Sequence, residues 1–191
     1  MLLSPRFSDA LGFAASLHRE QLRKVTGTPY LGHLLAVAAI VLEHGGGEDE
    51  AIAALLHDAV EDQGGPPVRE EIRRRFGSQV VEIVDGCTDT DVAPKPPWQA
   101  RKEAHLAHLR TASPSVCLVV AADKLDNARS LLRDFRRQGP SLWGHFRGGR
   151  DGTLWYLRTA IEALQHAAPT ALIEELGRVV SELANAAGGA P

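Results

Sequence analysis

The stretch AIAALLHDAVED (51–62) carries an apolar run into four ionisable residues, His57, Asp58, Glu61 and Asp62. A charge drawn into such a run without a partner is expensive. Acids at the C-terminal end of a helix also oppose its dipole. On one continuous helix over 48–61, His57 shares a face with Glu61 and Asp58 with Asp62, so all four are expected in one polar quadrant. Surface caps in the last turn are one reading. A divalent cation is the other, because it partners imidazole and carboxylate together and offsets their lost hydration.

A single helix cannot supply a whole coordination sphere. His33 sits inside YLGHLLAVAAIVL (30–42), and Asp123 follows the apolar run VCLVVAA (116–122), with Asn127 one helical turn later. A lone histidine in an apolar segment is more often a satisfied core residue than a ligand. Taken together, His33, His57, Asp58 and Asp123 form an oxygen–nitrogen set suited to a divalent first-row metal.

The elements that must position these residues read as helices. Phe7, Leu11, Ala14, Leu17 and Gln21 follow the 3.6-residue period after Ser4-Pro5. Helical patterns then run from Leu31 to His44, Glu48 to Glu61, Pro67 to Phe76, Gln79 to Gly86 and Trp98 to Thr111. Gly45-Gly46-Gly47, Gly64-Gly65 and the proline loop DTDVAPKPP (89–97) separate them. Residues 115–136 open with SVCLVVAAD, which periodicity alone allows as strand or helix; their length and surroundings favour a buried helix. Residues 139–152 are expected to be irregular, and 153–167 and 170–187 to be closing helices. This predicts one compact all-α domain over residues 1–187, with a disordered tail at 188–191.

Composition narrows the function classes. The 191 residues are 44 % apolar and 24 % charged, enough to bury a core, and the net charge of −3 gives no general pull towards nucleic acid or an acidic membrane. Cys87 and Cys117 lie far apart, which argues against a zinc knuckle and leaves two free thiols. No apolar run reaches the ~20 residues that span a bilayer, and the N-terminus does not read as a signal peptide. The expectation is a cytoplasmic protein with a small-molecule substrate, no nucleic-acid or membrane partner, and an oligomeric state the sequence leaves open.

The blocks RKVTGTPYLGHLLAVAAIV, AIAALLHDAVED, VVEIVDGCTDT and VVAADKLDNARSLL occur in this order. They resemble the HD phosphohydrolases, and within them the hydrolase domain of the RelA/SpoT alarmone enzymes, with the likeness nearest to its small stand-alone versions. The resemblance covers roughly residues 7–165. It implies metal ligands His33, His57, Asp58 and Asp123, usually around Mn²⁺. It implies Glu61 and Asp62 as the acids that position or activate the attacking water. It implies Arg23, Lys24, Lys102, Asn127 and Tyr156 as contacts to the nucleotide. Lys124 and Asp126 stand where the long enzymes more often carry Arg and His, which bears on substrate preference.

The reaction so implied is metal-assisted hydrolysis releasing pyrophosphate from the 3′-position of ppGpp or pppGpp. The imidazole–carboxylate set suits Mn²⁺ or Fe²⁺, with Zn²⁺ tolerable. A phosphatase acting on another nucleotide, such as the 2′-phosphate of NADPH, is one alternative. A non-catalytic alarmone-binding module is another. His18, His44, His105, His108, His145 and His166 show no partner at ligand spacing, and the helix carrying His105 and His108 is expected to expose both. Trp98, Trp143 and Trp155 read as packing residues, Arg73-Arg74-Arg75 as a solvated face, and Asp85, Asp89 and Asp91 as loop acids.

Overall fold

The computed structural model describes residues 2–90 and 94–188. Among them every regular element is helical: α1 Pro5–Leu17, α2 Leu31–Glu43, α3 Glu48–Leu56, α4 Ala59–Gln63, α5 Pro66–Phe76, α6 Ser78–Cys87, α7 Trp98–Leu109, α8 Pro114–Gln138, a 3₁₀ segment Gly139–His145, α9 Gly149–Leu164 and α10 Thr170–Ala186. The only pairing of strand type among the described residues is an isolated antiparallel bridge, Leu22 to Pro29, which closes the loop between α1 and α2. The all-α expectation therefore holds. Asp91 and residues 189–191 of the expected tail lie outside the described residues.

Helix α8 is the spine. Its N-cap Ser113 accepts the Val116 N–H, and Pro114 takes the first helical position, where its missing N–H costs nothing. The strand alternative for 115–136 fails because the whole segment lies within α8, which packs on α2, α3, α6, α9 and α10. Its buried residues include Val116, Val119, Val120, Ala121, Ala122, Leu125 and Ala128. The small ones let neighbouring helices approach closely.

Three boundaries differ from expectation, each for a local reason. Helix α1 ends at Leu17, and Gln21 lies beyond it; the His18 and Gln21 side chains instead meet at 2.5 Å. The helix expected over 48–61 is interrupted at His57-Asp58, so α3 ends at Leu56 and α4 begins at Ala59. Asp58 has φ −99° and ψ −2°, in the bridge region rather than the helical well. Leu55 and Leu56 before the break and Ala59 after it are fully buried, and each leucine contributes about 1.5–3 kcal/mol by leaving water. Residues 139–152 are not irregular throughout: a 3₁₀ segment occupies 139–145 and α9 starts at Gly149, four residues earlier than expected. Leu142 and Trp143 of that segment are buried, with Trp143 packed against Phe135 and Phe146.

Gly64 and Gly65, at φ 148° and 60°, turn the chain from α4 into α5 through conformations that side chains rarely adopt. Arg73 and Arg74 pair with Glu70 and Glu71 on the solvated face of α5, as expected. Arg75 instead lies over the Phe13 and Phe76 rings, 4.4 and 5.2 Å from their centroids. Trp98 packs edge-on against Trp155, 6.2 Å between centroids, and so joins α7 to α9. No described helix is long and apolar enough to cross a membrane.

Candidate metal centre and its pocket

The four ionisable residues at the junction of α3 and α4 gather on one cavity. His57, with φ −60° and ψ −29° still helical, is 3 % exposed and lines a cavity of about 460 Å³ together with Asp58, Glu61 and Asp62. His33 comes from the first turn of α2 and is 4 % exposed; Asp123 comes from the middle of α8. Donor atoms of His33, His57 and Asp58 all lie within 4.8 Å of one another. Asp123 Oδ1 completes the group at 3.2 Å from His33 Nε2 and 3.7 Å from His57 Nε2. Asp58 Oδ2 lies 3.0 Å from His57 Nε2.

The tautomers follow from the outer partners. The Ala54 carbonyl can only accept, so His57 Nδ1, 2.8 Å away, carries the proton and its Nε2 presents a lone pair. The Asp126 carboxylate accepts from His33 Nδ1 at 2.6 Å, with the same consequence. Both Nε2 atoms are buried and neither makes a hydrogen bond. Two inward lone pairs facing two carboxylates are mutually repulsive unless a positive charge lies among them. The titration directions carry the same message. Burial pulls both imidazoles towards the neutral form, yet the surrounding aspartates outweigh it and raise both pKa values. Burial likewise disfavours the Asp58 and Asp123 carboxylates, but the histidines, and Lys124 beside Asp123, hold both below the usual range. The donor set fits a divalent cation: two neutral imidazoles, two carboxylates and outer groups that fix them.

The pocket walls are cationic on two sides. On one, both terminal nitrogens of Arg23 lie 3.1 Å from Asn127 Oδ1, and its guanidinium sits 5.8 Å from the Tyr30 ring centroid. Asn127 Nδ2 in turn donates to Asp123 Oδ1 at 2.5 Å. Lys24 lines the same side. On the other, Lys102 and Lys124 flank the face of Tyr156, 4.6 and 5.3 Å from the ring centroid. Lys102 reaches Asp89 Oδ2 at 2.7 Å, and Lys124 reaches Asp123 Oδ2 at 2.6 Å. Tyr156 keeps its buried hydroxyl without a hydrogen-bond partner.

Residues 10–154 match the HD domain family. The chain belongs to that family. Among HD-domain relatives, the guanosine-3′,5′-bis(diphosphate) 3′-pyrophosphohydrolase MESH1 of Xenopus tropicalis is 42 % identical over 142 residues, covering 73 % of this chain and 74 % of that protein. The human MESH1 is 39 % identical over the same span. Among solved structures, that of a metazoan orthologue of SpoT described as hydrolysing ppGpp matches with a TM-score of 0.81 and 29 % identity, covering 95 % of this chain and 97 % of that one.

Of the eleven residues given site roles from the sequence, ten line this pocket, and His33 lies behind it against Asp123. Glu61 and Asp62 are less free than their sequence suggests. Glu61 Oε1 pairs with Lys95 Nζ at 2.8 Å, and its Oε2 accepts the Asp89 N–H at 3.4 Å. Asp62 Oδ2 accepts from the Gln21 amide at 2.8 Å. Although the helix is interrupted, His57, Asp58, Glu61 and Asp62 all line the same pocket, in keeping with one polar quadrant.

Several participants escape sequence reasoning. The Tyr30 hydroxyl donates to Asp58 Oδ2 at 2.5 Å, and burial together with the Asp58 charge pushes its pKa far up. Asp126 and Lys124, expected to flank the site, each touch a metal-ligand candidate directly. His105 is buried, contrary to its expected exposure, because α7 packs His105, Leu106 and Leu109 inward while His108 stays outside. Buried His18 holds the Gln21–Gln63 cluster beneath the rim. The one available signal was spacing: Asp126 stands three residues after Asp123, on a neighbouring strip of the same helix.

Proposed function

We propose that this chain is a metal-dependent 3′-pyrophosphohydrolase of guanosine alarmones, converting ppGpp or pppGpp and water to GDP or GTP and pyrophosphate. One observation carries the reading: two buried imidazole lone pairs converge with two carboxylates at the floor of a pocket whose two walls are cationic. A ligand with negative charge at both ends of a flat base-bearing ring fits that distribution. His33, His57, Asp58 and Asp123 are the ligands, and Mn²⁺ is the ion best suited to a mixed imidazole–carboxylate set. A divalent cation there supplies Lewis acidity, lowering the pKa of water and neutralising phosphate oxygen.

The protein's own residues do the rest. Asn127, held by Arg23, orients the 3′-phosphate edge of the ribose beside Asp123. The Arg23 guanidinium offers a flat cationic face to the purine. Lys102 and Lys124 offset phosphate charge, and the Tyr156 hydroxyl donates to a phosphate oxygen. Glu61 and Asp62 position the attacking water and accept its proton, with Lys95 and Gln21 fixing their carboxylates.

The test is a substrate panel with Mn²⁺ on protein of measured metal content. Pyrophosphate from ppGpp is expected. Orthophosphate from NADPH without turnover of ppGpp overturns the substrate assignment. Tight binding of ppGpp without turnover overturns catalysis.

A further inference from the structure

The Asp126–His33 pair stands apart from the other contacts of the site. Asp126 Oδ2 lies 2.6 Å from His33 Nδ1, on the side of the ring away from the other donors. The His33 side chain is 1 % exposed and that of Asp126 18 %. His57, the other imidazole, has only a backbone carbonyl in the equivalent place. The two rings are therefore supported unequally, one by a full negative charge and one by a dipole. A carboxylate accepting from Nδ1–H forms a charge-assisted bond, roughly twice as strong as a neutral one. It also increases the basicity of the opposite nitrogen and locks the tautomer.

Charge counting points the same way. Asp58, Asp123 and Asp126 bring three negative charges to this corner, and Lys124, half-buried against Asp123, returns one. A divalent cation then brings the corner to formal neutrality. Without Asp126 the same corner with its cation is left with one excess positive charge in a buried place, which is costly.

We propose that Asp126 is a positioning residue for metal binding: its carboxylate holds His33 in the metal-ready tautomer and sets the affinity of the site for its divalent ion, rather than contacting substrate. This rests on the assignment of His33 as a metal ligand made above. Asp126 approaches His33 from behind, so its replacement acts through the imidazole.

The experiment measures Mn²⁺ affinity by isothermal titration on metal-stripped protein, for the parent and for Asp126→Asn and Asp126→Leu. It is paired with apo-protein melting and with KM for ppGpp at saturating Mn²⁺. Affinity is expected to fall in the order parent, Asn, Leu, with a loss of about 10–100-fold for Leu. Asn retains an acceptor without the charge and falls between. Apo melting is expected to stay near the parent's for Asp126→Asn and to fall for Asp126→Leu, which leaves the His33 Nδ1–H unpaired, while KM at saturating metal stays near the parent's in both. Unchanged Mn²⁺ affinity in both variants overturns the proposal, as does a several-fold rise in KM with metal affinity intact, which marks a substrate contact. Should Asp126→Leu fail to fold, the near-isosteric Asn variant decides. Failure of the parent itself to bind Mn²⁺ strikes the metal assignment instead, a different outcome from the loss of the Asp126 effect.

Discussion

Lys95 Nζ lies 2.8 Å from Glu61 Oε1 and ties the proline loop to the rim of the metal centre. The lysine side chain is 41 % exposed, so the pair adds little stability. Its consequence is orientation, because Glu61 is also within 3.4 Å of the Asp89 backbone N–H. Lys95→Ala is expected to change folding stability by less than about 1 kcal/mol and to lower kcat with ppGpp more than it raises KM. Urea unfolding and steady-state kinetics on the same preparation check both.

Glu61→Gln keeps the shape of that contact and removes the proposed proton acceptor. The expected outcome is full Mn²⁺ binding with kcat reduced by about 10²–10⁴. Asp62→Asn, measured beside it, shows which of the two acids carries the proton. A variant that turns over at the parent rate is removed from the mechanism.

Asp58→Ala deletes a proposed ligand whose carboxylate lies 3.0 Å from His57 Nε2. Metal binding and turnover are both expected to disappear. The parent should gain about 2.7 kcal/mol when Mn²⁺ is supplied at a hundred times its Kd, and the variant should gain none. Thermal melts with and without Mn²⁺, and after chelation, measure this.

His105 supplies a pH test. Burial, followed by the charges of Lys124 and Lys102, pushes its pKa down to about 3 in the folded chain, against 6.5 unperturbed. The unfolded chain therefore takes up a proton below pH 6.5 that the folded chain refuses until about pH 3. Stability from this group is complete above pH 6.5 and declines as the pH falls. Between pH 7.5 and 5.5 the decline amounts to about 1.4 kcal/mol. His105→Gln is expected to lose that much less than the parent over the same interval, whatever its packing cost at pH 7.5. Denaturant midpoints at the two pH values give the difference.

Gly86 marks where α6 meets α8. A Cβ built there comes within 2.5 Å of Val116 Cγ2 and 2.9 Å of Cγ1. Val116 is buried and cannot swing away. Gly86→Ala is expected to destabilise by about 1–3 kcal/mol through overpacking. Because Cys87 and Asp89 line the pocket just beyond it, some loss of turnover should accompany the shift. Calorimetry and an activity assay below the melting temperature separate the two effects.

Much of this protein is written in its residue order. Apolar residues at helical spacing, Ser-Pro starts and glycine stops specify an all-α chain, because periodicity and capping are local properties. The four ligand candidates were legible for a related reason: a histidine or aspartate inside an apolar run must have a partner, and the likeness of four ordered blocks named the same residues. What folding alone decided is which face each charge meets. The chain turns at His57-Asp58 between α3 and α4, and packing buries His57 while Glu61 meets Lys95 of the proline loop. Asp126 and Lys124 acquire their partners from packing: α8 meets α2 so that Asp126 faces His33, ninety-three positions away in the chain. His105 is buried because α9 covers one side of α7. Contacts between distant segments depend on how helices cross, and no local pattern encodes the crossing.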